Sequence, residues 1–464
     1  MRELETDYLV VGAGASGMAF VDTLVANTDA EVVLVDRRHR PGGHWLNAYP
    51  FVRLHQPSAY YGVESRSLGR DRIDREGPNA GFYERASAAE LCAYYADVLD
   101  ELLTTGRVRF FGMTDHRGGS RDGHLLLSLL DGSETLVRPR RKVIDATYVQ
   151  SEIPSRRVPD LAVEPGVTLV SPNGLVDLGE PAKRFTVIGA GKTAIDTCVW
   201  LLDEGIDPDR IRWVRGRDPW QFDRTFTQPL DLVGGYMQLQ ARWVEVAATA
   251  GDGHDFARRL EDAEMFVRID PATEPLAFRG ATISRAEINT LRRIENLVRA
   301  RRVSRIGRIS LATEAGEVPN QPGEVFVDCT APGVRATVPR PVFGPGTITI
   351  QYVTPGLIPW SAATIAFVES TNLSDDESNR LCPPVVFTGN AADLPQLAYA
   401  TMQGQAARAR HEQVGRWNLA TRLNPARAAL DHLDDPGVAD SLTFIVEHMC
   451  DALANLERTS ATHA

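Results

Sequence analysis

The sequence predicts an α/β fold: two nested, Rossmann-like, dinucleotide-binding domains with parallel sheets, a β-meander and a helical insert. Three observations predict it. A strand, glycine turn, helix and second strand follow one another over residues 7–36, and the same order returns over 185–215. Two apolar runs, 142–147 and 325–330, each end in Asp-x-Thr, as a chain does when it leaves one domain for another. At 464 residues the chain has room for two or three domains. The expected division is 1–178, then 179–330 with an insert at about 225–300, then a return segment and helical tail over 331–464.

In the first unit Leu9, Val10 and Val11 lead into Gly12, Ala13, Gly14, Ala15, Ser16 and Gly17. Gly12 allows the tight turn, Gly14 leaves room for a pyrophosphate, and Gly17 lets helix and strand pack closely. Residues 18–25 read as a helix whose N-terminus offers free N–H groups to phosphates. Ala15 and Ser16 lie in that cradle. A second strand, 31–35, ends at Asp36, placed to accept hydrogen bonds from a ribose. Beyond it Arg37, Pro41, Gly42, Gly43, His44 and Trp45 form a loop that can approach the cofactor. Residues 49–58 are dense in polar and aromatic groups: Tyr49, Arg53, His55 and Gln56.

A helix is expected over 82–103. Strands are expected over 108–111, 123–130 and 135–137, with turns at Gly118-Gly119 and Asp131-Gly132, and a buried strand over 142–147. In the second unit a strand, 185–188, meets Gly189 and Gly191, with Ala194 as the third small residue. Lys192 and Thr193 stand at the helix start, where charge and hydroxyl can serve phosphates. No acid ends its second strand. Arg215 and Arg217 stand there, which suits a 2′-phosphate and hence NADP over NAD. Leu291, Ile294, Leu297 and Val298 have helical spacing within a helix expected over 286–301. Strands are expected over 347–353 and 385–390, the second with the polar end Gly389-Asn390. A helix over 397–410 and a helical tail beyond Trp417 follow.

Charge and cysteine usage narrow the function. Fifty Lys and Arg against 61 Asp and Glu give −11, which argues against nucleic acid or an anionic membrane as partner. Cys92, Cys198, Cys329, Cys382 and Cys450 are far apart, so neither a redox dithiol nor a zinc site is suggested, and no metal is expected. Free thiols suit a reducing cytoplasm. No apolar run approaches the ~20 residues that span a bilayer.

Taken in order, the first glycine turn ending at Asp36, the Pro41–Trp45 loop, Tyr49-Pro50 with Arg53, the second glycine turn, Arg215 with Pro219-Trp220, and Gly389-Asn390 resemble the flavin-containing monooxygenases and their Baeyer–Villiger relatives. The resemblance covers roughly residues 5–415 and two nested dinucleotide-binding domains. It implies FAD on the first unit and NADPH on the second, with Gly389 and Asn390 returning to the flavin. It implies a small-molecule substrate (amine, sulfide or ketone) oxygenated by O₂ through a flavin C4a-(hydro)peroxide, and it admits a homodimer. Two departures stand out. The F-x-G-x-x-x-H fingerprint before the second glycine turn is absent, and His55 stands where N-oxygenating members carry asparagine.

His55 is therefore the first candidate for a catalytic hydrogen-bond donor beside the flavin, with Arg53 and Gln56 as candidates at the ring edge or nicotinamide. Gln351, Tyr352 and Trp360 are candidates for a substrate wall. An NAD(P)H-dependent flavin dehydrogenase or oxidase without oxygen insertion is the alternative, and a non-catalytic flavoprotein module the second.

Overall fold

The computed structural model describes residues 1–120, 122–334 and 337–461. Strand β1 (Arg2–Val11) lies at the centre of the first sheet, between β2 (Val32–Val35) and β6 (Glu134–Asp145), both parallel to it. All four residues of β2 are buried, as expected for a parallel strand covered on both faces. Helix α1 (Ala15–Asn27) crosses between β1 and β2 and buries Met18, Phe20, Val21 and Leu24 in the same core. Helix α2 (Ala88–Thr104) follows, then β3 (Val108–Phe111) beside β2. The meander β4 (Thr114–Ser120) and β5 (Gly123–Ser128) runs antiparallel into β6.

Three expectations here are corrected. The helix expected from residue 82 starts at Ala88, because Ser87 and Glu90 cap each other's backbone N–H groups there. The strands expected over 135–137 and 142–147 are one strand. Pro139 is accommodated where the register with β1 shifts between Thr6 and Tyr8. Gly118 and Gly119 form an irregularity inside β4 and not a turn.

The second sheet is built on the same plan. Strand β7 (Thr168–Val170) lies beside β14 (Glu324–Asp328), which lies beside β8 (Arg184–Ile188) and then β9 (Ile211–Val214), all parallel. Helix α3 (Lys192–Asp203) packs on them, burying Ile195, Cys198 and Leu202.

Between β9 and β14 lies the insert, which is mixed. Strand β10 (Pro219–Asp223) pairs with β11 (Phe266–Val267) and β12 (Ala277–Ile283), under α4 (Val233–Thr249) and α5 (Gly253–Asp262). The helix expected over 286–301 stops early, as α6 (Arg285–Leu291). Leu297–Val298 is instead a short strand, β13, parallel to β9 at Trp213 and Val214. Apolar spacing alone could not separate those two outcomes, because the sheet edge that claims residues 297 and 298 is remote in sequence.

The chain then returns to the first sheet. Strands β15 (Phe343–Gly344) and β16 (Thr347–Thr349) add to β6, and α7 (Ile358–Ser370) packs beside α1 in the shared core. Residues 385–390 are not a strand. Pro383 and Pro384 remove donors at its start, and the ladder position beside β6 is taken by β16. Helices α8 (Asp375–Leu381), α9 (Leu394–Arg410), α10 (Glu412–Ala420) and α11 (Pro436–Ala461) complete the chain, α11 in the insert's core. Among the described residues no helix is long and apolar enough to cross a membrane.

Candidate functional site

The first glycine turn is made of backbone pressed on backbone. Gly12 takes φ +104°, and a Cβ there would lie 2.9 Å from Thr147 Cγ2. A Cβ on Gly17 would stand 1.9 Å from the Gly12 carbonyl oxygen, so α1 can sit this close only with glycine. Gly43 reaches over the turn: a Cβ on it would be 2.9 Å from Gly14 Cα. The Gly42 N–H donates to the Ala13 carbonyl at 2.9 Å.

Asp36 accepts from the Ala13 N–H (2.7 Å) and the Arg38 N–H (2.8 Å), which fixes it at the strand end with lone pairs to spare. The Ser16 hydroxyl donates to the Ala146 carbonyl, and Ala15 is buried beside it. Arg37 points to solvent and pairs with Asp115 at 3.4 Å.

Helix α1 has Gly14 as N-cap, no side-chain cap and no acid in its first turn. Helix α3 has Gly191 as N-cap and the same lack. By contrast α2, α6 and α8 carry full capping boxes. Both glycine turns thus present uncapped N–H groups, the arrangement that receives phosphate.

The second turn is more open. Gly189 takes φ +136° against the Cys329 carbonyl, but a Cβ on Gly191 would meet nothing within 4 Å. Beside it the side chains carry charge. Lys192 ion-pairs with Asp196 one helical turn on. Thr193 faces the Tyr49 hydroxyl. Arg215 is buried, with its guanidinium 4.4 Å from the Trp213 ring and carboxylates of Asp218 at 3.8 Å and Asp270 at 4.0 Å. Arg217 is exposed and has no ion pair among the described residues.

The two sheets end alike. Asp145 accepts from the Thr147 N–H and hydroxyl at 2.9 and 2.7 Å, and Asp328 from those of Thr330 at 2.9 and 2.6 Å. Each lock holds the chain against the glycine turn of its own domain.

One segment joins the two turns. It leaves the Gly43 loop, where the His44 ring lies tilted against that of Trp45 and the Trp45 indole donates to the Tyr61 hydroxyl at 3.0 Å. The Tyr49 hydroxyl then donates to Asp196 at 2.8 Å, and Phe51 stacks on Trp200 of α3 at 4.6 Å. Two residues after Arg53, the His55 carbonyl accepts from Thr282 at 2.6 Å.

Burial, reinforced by Lys192, pushes His55 down to about 4, and burial with Arg38 does the same to His44. Both are neutral at pH 7. Both are half-buried.

Behind His55 stands a buried ionic cluster. Glu287 accepts from Arg224 at 2.6 Å and the Ser284 N–H at 2.8 Å, with Arg85 at 3.6 Å. Burial alone would raise Glu287, but Lys192, Arg224 and Arg85 outweigh it and hold it at about 2.

Arg53 is not brought to His55. It is exposed, donates to the Arg85 carbonyl at 3.0 Å and faces an outer cleft with Glu90. Gln56 is half-buried beside His55. Tyr352 is half-buried against Phe387. Gln351 is a structural pin on the Arg340 backbone, and Trp360 is packed against Leu423.

Gly389 and Asn390 do not return to the first turn. Gly389 abuts Arg279 of the insert, and the exposed Asn390 bonds the Ala392 N–H and bridges to Ala277.

Sequence reasoning missed Asp196, Arg85, Arg224 and Glu287. Two signals were present: Lys192 four residues before Asp196 on one helix face, and Ser284-x-x-Glu287 as a capping box.

Residues 10–57 match the family described as NAD(P)-binding Rossmann-like domain. The uncharacterized proteins Rv2000 of Mycobacterium tuberculosis and Mb2023 of Mycobacterium bovis are each 41% identical over 425 residues, 91% of this chain and 78% of theirs. Among solved structures, open cyclohexanone monooxygenase superposes with a TM-score of 0.50 at 15% identity, covering 89% of this chain and 98% of that one. Oxidized steroid monooxygenase bound to NADP gives 0.50 at 14%, covering 81% and 84%. The fold is theirs.

Proposed function

The chain belongs to the family of the mycobacterial proteins Rv2000 and Mb2023, and on that premise and its fold we propose that it is an FAD- and NADPH-dependent monooxygenase of a small molecule. One observation carries the reading. The segment that leaves the first glycine turn lies directly on the second glycine-turn helix, through Tyr49–Asp196 and Phe51–Trp200. Two dinucleotides held on those turns would direct their reacting ends toward that connecting segment.

The flavin, when bound, supplies hydride acceptance and oxygen activation. The chain supplies the rest. The α1 N–H groups and the Gly14–Gly43 contact receive a pyrophosphate, and Asp36 receives a ribose. The α3 N–H groups, Lys192 and Thr193 receive the second pyrophosphate. His55, neutral and half-buried, offers one N–H donor and one acceptor nitrogen. The substrate would be an amine, sulfide or ketone, in the presence of O₂.

The test is to reduce the purified protein with NADPH, admit air and follow the flavin spectrum. Delayed reoxidation with oxygen transfer supports the proposal. Immediate reoxidation with stoichiometric hydrogen peroxide supports a dehydrogenase or oxidase instead. His55→Ala should keep FAD bound and raise the hydrogen peroxide released toward its limit of about one per NADPH. Unchanged coupling would remove His55 from the mechanism.

A further inference from the structure

A carboxylate one helical turn inside a phosphate-binding helix is an unfavourable neighbour for a pyrophosphate. Asp196 is such a carboxylate, 13% exposed, on the helix whose N-terminus Gly191 leaves open. Its charge is matched within the protein by Lys192, whose side chain is only 8% exposed and turned back along the helix. The second Asp196 oxygen accepts from the Tyr49 hydroxyl, and Tyr49 belongs to the segment that carries His55. Burial and Asp196 together hold the Tyr49 phenol protonated. His55 itself feels both Lys192 and Asp196, with opposite signs.

The lysine nearest the open turn is therefore committed to an internal partner, Asp196. A pyrophosphate at the α3 N–H groups offers that ammonium a second and more highly charged partner, within reach of a flexible four-carbon stem.

We propose that Asp196 is a positioning residue: it parks Lys192 until a pyrophosphate-bearing ligand takes it. Release of Lys192 tightens the Tyr49–Asp196 hydrogen bond and so signals occupancy of the second glycine turn to the His55 segment. No covalent step is involved. The inference rests on the reading that a dinucleotide's pyrophosphate occupies this turn. It assigns to that site a coupling residue and a route, Lys192 to Asp196 to Tyr49.

The probes are inorganic pyrophosphate and NADP⁺, titrated into the purified full chain with its flavin. Affinity is measured calorimetrically, and the tyrosine ultraviolet difference spectrum is recorded for wild type and Tyr49→Phe. Lys192→Met should weaken pyrophosphate by about tenfold, as for loss of a charge-assisted contact. Asp196→Asn should strengthen it by about threefold, the size of one like charge removed near a helix N-terminus.

Pyrophosphate should also perturb a tyrosine in wild type that is silent in Tyr49→Phe. This last measurement needs only an isosteric variant, so it stands even if Asp196→Asn does not fold. Weakening by both charge variants, or a pyrophosphate signal identical with and without the Tyr49 hydroxyl, overturns the proposal while leaving the binding site intact. Failure of wild type to bind either probe overturns the dinucleotide reading along with it.

Discussion

The two glycine turns have the same strand order but are built from different materials. The first is closed by backbone: Gly17 on Gly12, Gly43 on Gly14, and Asp36 bonded to two main-chain N–H groups. The second is open at Gly191 and furnished with side-chain charge: Lys192, Asp196, and the Arg85, Arg224 and Glu287 cluster behind them. Backbone contacts cannot rearrange without unfolding, whereas ion pairs can exchange partners. The first turn suits a ligand that stays, the second one that comes and goes.

The largest expected effect breaks the charged side. Glu287→Ala leaves Arg224 and Arg85 buried without their carboxylate and should cost about 4 kcal/mol of stability, read from denaturant unfolding. The same group gives a pH signature. Its folded pKa of about 2 lies below the ordinary 4.5, so its stabilising contribution is full above 4.5 and is lost as pH falls toward 2. Glu287→Gln should flatten the melting temperature across that window, whereas an unaltered slope would assign acid sensitivity elsewhere.

The next effect tests the backbone side. Gly17→Ala must move α1 off the Gly12 carbonyl and should cost about 3 kcal/mol with loss of bound flavin. The reverse change at the equivalent place, Ala194→Gly, should cost only about 1 kcal/mol and spare the flavin. Equal costs would erase the distinction between the turns.

The smallest effect is at the surface. Arg217→Ala should stay within about 0.5 kcal/mol of wild type in stability, while lowering the preference for NADPH over NADH in steady-state assays. An unaltered preference would leave Arg217 as a solvated side chain.

The two turns were also unequally legible. The first is local: each glycine, Asp36 and the Gly42-Gly43 loop lie within one continuous stretch, and its period and punctuation follow from chain sterics. The ionic cluster is not local. Arg85, Arg224 and Glu287 come from three distant segments, and no spacing rule joins them. Arg215 illustrates a second limit. Its position at the strand end was readable, but its inward turn over Trp213 depended on Asp218 and Asp270, supplied by the insert. Residues 385–390 failed for a third reason. An apolar run does not say which ladder a segment joins, and the position beside β6 is occupied by Thr347–Thr349.

Helix α11 has a consequence for how the molecule comes into being. Asn455 donates to the carbonyls of Ala247 and Ala250, closing the end of α4, and Ala452 and Leu456 complete the core around Trp220. These contacts join segments some two hundred residues apart in sequence. Loop closure over such distances is slow, and a nascent chain emerges from its N-terminus. The first sheet's central strands can pair early in synthesis. The insert must wait with an unfinished apolar face until the final helix arrives, which makes that interval the one in which the chain is most exposed to aggregation.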